Sequence, residues 1–156
     1  MKRLLSRLLP VLAGLLFAGS ASAQSAFVDF TVQAAVAASC TIAATGINFG
    51  AYDPVGVNDV APLDQSGTVT VRCTKGSIYN LTFDKYGGNM TGAVTSELLS
   101  YTIFSDAGRT VPWAAIGPIT APSRAAVART VYGRVAGGQD VSVDSYSDTV
   151  RATVTY

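Results

Sequence analysis

The sequence predicts an all-β protein, an antiparallel β-sandwich of immunoglobulin-like type. Three observations lead there. Apolar and polar residues alternate with period 2 along much of the chain, and helical periodicity is hard to find. Gly-, Asp- and Pro-containing turn signals separate the alternating runs. Of 156 residues, 49% are hydrophobic and only 13% charged, a balance that suits a buried core and not a disordered chain. One domain is the expectation at this length.

In order along the chain, Met1 to Ala23 reads as a secretory leader. Lys2, Arg3 and Arg7 precede an apolar stretch from Leu8 to Ala18, and Ala21-Ser22-Ala23 forms a small-x-small cleavage site. The apolar stretch is shorter than the ~20 residues of a spanning helix. The mature chain is expected to begin at Gln24. With three of eleven cations removed, eight basic residues face ten acidic ones, so the net charge moves from +1 to −2 over 133 residues.

Residues 24–38 form an N-terminal extension in which Val28, Phe30, Val32, Ala34 and Val36 occupy every second position, the pattern of a half-buried strand. It reads either as the first strand of the sandwich or as a strand that completes a sheet in a neighbour. Residues 39–156 form the body. Thr68 to Cys73 alternates cleanly; Ile78 to Phe83 sets Tyr79, Leu81 and Phe83 on one face; Leu99, Tyr101 and Ile103 alternate with Ser100 and Thr102. Val141 and Val143 alternate briefly, and Val150, Ala152, Val154 and Tyr156 share one face of a last strand. Turns are expected at Asp53-Pro54, Tyr86 to Asn89, Asp106 to Gly108 and Gly137 to Asp140. Pro112 to Pro122 reads as a loop or an edge. Arg124 to Arg129 is the only stretch of helical composition.

The absence of histidine excludes Ser-His-Asp and Cys-His catalysis and His-ligated metals. No cofactor or metal site is expected, and without a Lys/Arg run no nucleic-acid partner is expected either. In an exported chain Cys40 and Cys73, the only cysteines, are the natural disulfide pair. Carboxylates are scattered, and a pair such as Asp144 with Asp148 is more simply explained by turns and strand ends, so an enzyme is not expected. Trp113, Tyr86 and Tyr101 suit a core better than a sugar site.

Several segments together resemble the spore coat protein U domain family, whose members include pilin subunits of archaic (Csu-type) chaperone–usher pili. The alternating N-terminal strand ends four residues before a Cys, Val36 to Cys40. Asn48-Phe49-Gly50-Ala51-Tyr52 is similar to the family's F-G-x-Y, and Val69 to Gly76 to its second cysteine strand. Leu99 to Phe104 followed by Trp113 matches its central strand. Tyr132 to Val135, Gly138-Gln139 and Ser145 to Val150 resemble its C-terminal block, the most specific part.

The resemblance implies an incomplete sandwich that lacks its final strand, with a hydrophobic groove beside the last strand of the chain. It implies a periplasmic chaperone that lends a strand to the groove, an outer-membrane usher, and identical or related subunits joined head to tail at the cell surface. On that basis Val28, Phe30, Val32, Ala34 and Val36 are expected to be donor-strand anchors. Val150, Ala152, Val154 and Tyr156 are expected to line the acceptor groove and meet the chaperone. Burying five apolar side chains gives an upper bound on the order of 10 kcal/mol before ordering costs. The alternative is a spore coat or matrix protein that does not exchange strands.

Overall fold

Cross-strand pairing explains the architecture better than local propensity does. The computed structural model describes residues 23–156, so the expected leader lies outside the described residues except for Ala23. The unit Ala35–Tyr156 holds nine strands: β1 (Cys40–Thr45), β2 (Leu63–Cys73), β3 (Ile78–Phe83), β4 (Gly87–Gly92), β5 (Leu98–Phe104), β6 (Ile116–Thr120), β7 (Val127–Val135), β8 (Tyr146–Ser147) and β9 (Ala152–Thr155). They form a six-stranded sheet, in the order β1-β2-β7-β5-β4-β8, and a three-stranded sheet, β6-β3-β9. Every pairing is antiparallel. The all-β sandwich expected from the alternation is what is found.

The core follows from the period. Val69, Val71 and Cys73 on β2, Leu99, Tyr101 and Ile103 on β5, and Val131 and Val135 on β7 are buried on the inner face of the larger sheet. Tyr79, Leu81 and Phe83 on β3 oppose them from the smaller one, and Trp113 stacks on Phe83 at 4.8 Å between ring centroids. Cys40 and Cys73 sit directly opposite on β1 and β2 and form the disulfide.

Four readings are corrected. The expected turn at Tyr86 to Asn89 runs into strand β4, because β5 offers a paired edge that outweighs the poor strand propensity of Gly87 and Gly88. Val141 and Val143 belong to no strand; their loop is held by side-chain bonds instead. Arg124 to Arg129 is not helical, and β7 begins inside it at Val127. The last strand is shorter than expected, Ala152–Thr155, because the chain at Asp148 to Arg151 is crossing from one sheet to the other. Pro112 to Pro122 contains β6, an edge strand, where proline is tolerated.

Candidate functional site

The inner face of the larger sheet is wider than the smaller sheet that covers it. On β1 the residues opposite Val69, Val71 and Cys73 are Ala44, Ile42 and Cys40, so these three point inward. Yet Ile42 is 36% exposed and Ala44 is exposed too. They are inward-facing but uncovered, because among the described residues the smaller sheet ends at β9 and no strand follows it. Both β1 and β9 are edges. Among the described residues β1 pairs only with β2 and β9 only with β3, and each leaves one row of backbone groups without a ladder.

Between these edges lies an open groove of about 310 Å³. Ala44, Thr45, Gly46 and Ile47 form one wall, and Thr149, Val150 and Ala152 the other. Val69, Phe83, Ile103 and Val131 make an apolar floor. Such a surface is an aggregation hazard unless it is covered.

One ionic group interrupts the apolar lining. Asp148 accepts a hydrogen bond from the Tyr101 hydroxyl and another from Lys85 Nζ, each at 2.6 Å. The Lys85 ammonium, followed by the Tyr101 hydroxyl, holds the Asp148 carboxyl below its usual range. Burial, and then the bond to Asp148, pushes the Tyr101 phenol well above its ordinary value. Asp148 is thereby fixed at the point where the chain crosses to β9.

Residues 26–153 match the Spore Coat Protein U domain. The chain belongs to the Spore Coat Protein U domain family. Protein U of Myxococcus xanthus is 32% identical over 92% of this chain and 92% of its own length. In this Spore Coat Protein U domain the matched span takes in the N-terminal segment as well as the sandwich.

Of the residues expected at the groove, Val150 and Ala152 line it. Val154 lies opposite Leu81, on the inner face of β9, and packs against the core. Tyr156 is 57% exposed at the chain end. The segment Val28, Phe30, Val32, Ala34 and Val36 is exposed throughout, Phe30 at 83%, and it forms no strand of the described sheets. Sequence reasoning missed the β1 wall. Cys40 to Thr45 alternates except at Ala43, a short and weak signal that its pairing with the recognised Cys73 strand makes plain.

The F-G-x-Y residues acquire a structural role in this Spore Coat Protein U domain. Phe49 lies over Gly133, where a Cβ would stand 2.8 Å from the Phe49 ring. The Tyr52 hydroxyl donates to Ala136 O and accepts from Gln139 N, both at 3.0 Å, which pins the turn after β7. Beyond that turn, Glu97 accepts from Ser142 N and Oγ at 2.6 and 2.8 Å. Asp144 accepts from the Val94 and Thr95 amides at 2.9 and 2.8 Å. These bonds hold the Glu97 carboxyl below its usual range and the Asp144 carboxyl well below it. Asp144 and Asp148 are thus engaged by different partners, as a clasp and a groove-wall ion pair. Trp113 and Tyr101 are core residues, while Tyr86 is 38% exposed. No helix among the described residues is long and apolar enough to cross a membrane.

Proposed function

We propose that this chain is an exported structural subunit of a surface fibre, in which residues 24–38 of one copy fill the groove between β1 and β9 of the next. The observation that carries this reading is the pair of uncovered inward-facing residues, Ile42 and Ala44, beside an edge that no strand covers among the described residues. A donor strand would offer main-chain hydrogen bonds to the free edges and apolar side chains at alternate positions to the floor. Val28, Phe30, Val32, Ala34 and Val36 are the assigned anchors; Val150, Ala152, Val154 and Tyr156 are assigned to the acceptor side. Because donor and acceptor are different surfaces, the contact is heterologous and extends without closing.

In this reading a periplasmic chaperone covers the groove before assembly, an outer-membrane usher exchanges the chaperone strand for a subunit strand, and the fibre supports adhesion and biofilm formation. It assigns no catalytic step and no cofactor. Membership of the Spore Coat Protein U domain family is consistent with a surface or spore coat protein. The test compares the mature chain with a form lacking residues 24–36, by electron microscopy and sedimentation. Fibres from the intact chain alone are the expected result, and equal polymerisation of both forms would overturn the reading. The family's name favours a second reading, a coat component that associates without strand exchange. Assembly indifferent to the truncation would favour it.

A further inference from the structure

We propose that the sandwich carries a second contact surface, apart from the groove: a basic pole that docks on the acidic pole of a neighbouring copy. The inference rests on the head-to-tail reading and adds which ends of the two bodies meet.

The basic pole lies where β1 and β7 begin and β2 ends. Thr74 N donates to Ser39 O at 2.8 Å, Gly76 N to Ala121 O at 2.9 Å, and Arg72 Nε to Arg124 O at 3.0 Å. These bonds gather the entry to β1, the β2–β3 turn and the β6–β7 loop at one end of the sandwich. They bring Arg72, Lys75 and Arg124 together, all exposed, with Arg129 near the start of β7. Among the described residues the salt bridges use Lys85, Arg109 and Arg134, and none of these four. No Asp or Glu occurs in residues 30–52, 65–83, 107–139 or 149–156, the stretches that build this end.

The opposite pole is built from the other connections. Gly138 N donates to Asn58 O at 2.8 Å, which joins the β1–β2 loop to the turn after β7. The bonds of Glu97 to Ser142 and of Asp144 to Val94 and Thr95 add the β4–β5 turn. Asp53, Asp59, Glu97, Asp140 and Asp144 therefore share this end, and residues 35–71, 86–108 and 135–150 contain no Lys or Arg. Strand register sets Arg72 level with position 126 and Leu98 level with position 138 on the line of β7. Twelve residues at about 3.3 Å each put the poles ~40 Å apart. The Debye length at physiological salt is about 8 Å, so the two poles of one molecule do not neutralise each other. Each keeps its own like-charge repulsion, which a face of opposite sign relieves. The chain carries that face at its other end. The occupant is a second copy because the segment assigned to reach the neighbour leaves at Ser39, inside the basic pole. Basic pole on acidic pole fixes one orientation of the two bodies; the reverse presses like charges together.

The experiment compares the mature, disulfide-bonded chain with K75E/R124E, D59K/D140K, an equal mixture of these two variants, and the fourfold swap. All four substituted side chains are exposed. Sedimentation gives the assembly rate at low and high salt, and uptake of a labelled peptide of residues 24–39 reports the groove separately. The expected result is assembly about 10-fold slower for each double variant at about 20 mM salt, a gap that closes at about 500 mM. The mixture and the swap should recover to within about twofold of wild type, because each restores opposite charges across the contact. Lys75 and Lys85 are the only lysines after residue 23. Carbodiimide cross-linking of isotope-mixed assemblies should therefore join Lys75 of one copy to Asp53, Asp59 or Asp140 of another. Double variants that assemble at the wild-type rate, or a loss that neither mixture nor swap restores, would overturn the pole contact and leave strand exchange standing where peptide uptake is kept. Unchanged assembly, with K75E/R124E alone losing adhesion to phosphatidylglycerol vesicles, would overturn it in favour of an anionic surface. A wild-type chain that takes up no peptide would overturn strand exchange itself, and the head-to-tail reading with it.

Discussion

Replacing Gly133 by alanine tests how the groove wall is held. Gly133 lies on the inner face of β7 between Val131 and Val135, and its missing side chain leaves room for Phe49 and Ile47. A Cβ there would stand 2.8 Å from Phe49 Cζ and 3.0 and 3.2 Å from Ile47 methyls. Comfortable carbon contacts lie at roughly 3.5–4.0 Å, so Phe49 must retreat by most of an ångström. Overpacking of this kind costs about 1–3 kcal/mol. Alanine also restricts the unfolded chain, which returns about 0.4–1 kcal/mol. The net expectation is a loss of about 1–2 kcal/mol, or roughly 4–10 °C in Tm for a domain of this size. The assay is urea and thermal unfolding of Gly133→Ala, Phe49→Leu and the double variant. Because the clash is with the Phe49 ring, the Gly133→Ala cost should shrink by about 1 kcal/mol in the Phe49→Leu background. A Gly133→Ala protein as stable as wild type, or a cost unchanged by Phe49→Leu, would refute the reasoning.

Other expectations follow from the same structure. Cys40→Ala with Cys73→Ala removes a cross-link spanning 33 residues and should cost roughly 4 kcal/mol on the chain-entropy model, read from denaturant midpoints. Glu97 and Asp144 have folded values below their unfolded ones, so their contribution is present above about pH 4–5 and is lost as pH falls through the folded values. Glu97→Gln and Asp144→Asn should each flatten the acid limb of a urea-midpoint profile, and an unchanged limb would count against the clasp. Tyr101 is shifted the other way, so its contribution is intact below about pH 10 and declines as pH rises beyond it. Tyr101→Phe should remove that alkaline decline in the same profile.

Much of the fold was legible because alternation and burial coincide. Strand β3 has the expected bounds, and β5 differs from expectation by a residue at each end. What escaped were strands whose cause is a partner. β2 begins at Leu63, five residues before the alternating run, because its early residues pair with Val131 to Val135 of β7. On β7 the inward row is broken by Gly133, which is there for Phe49 and not for the strand. At the groove, Val150 and Ala152 were legible from their place in an alternating C-terminus, whereas Ala44, Thr45 and Ile47 were not, since Ala43 breaks the alternation of a short β1 and Ile47 lies beyond its end.

The sequence by itself determined the class of fold, the disulfide pair and the apolar parity of the N-terminal segment, because count and period are local properties of the chain. Which edges stay open was decided only in the tertiary structure. Six strands on one side and three on the other are the sum of many long-range pairings, and no stretch of sequence carries that sum. Ile42 looks like any core residue until β9 is found to be the last strand of its sheet. Its exposure comes from the fact that, among the described residues, no strand lies beyond β9 to cover it, and that is a property of the assembled sheets.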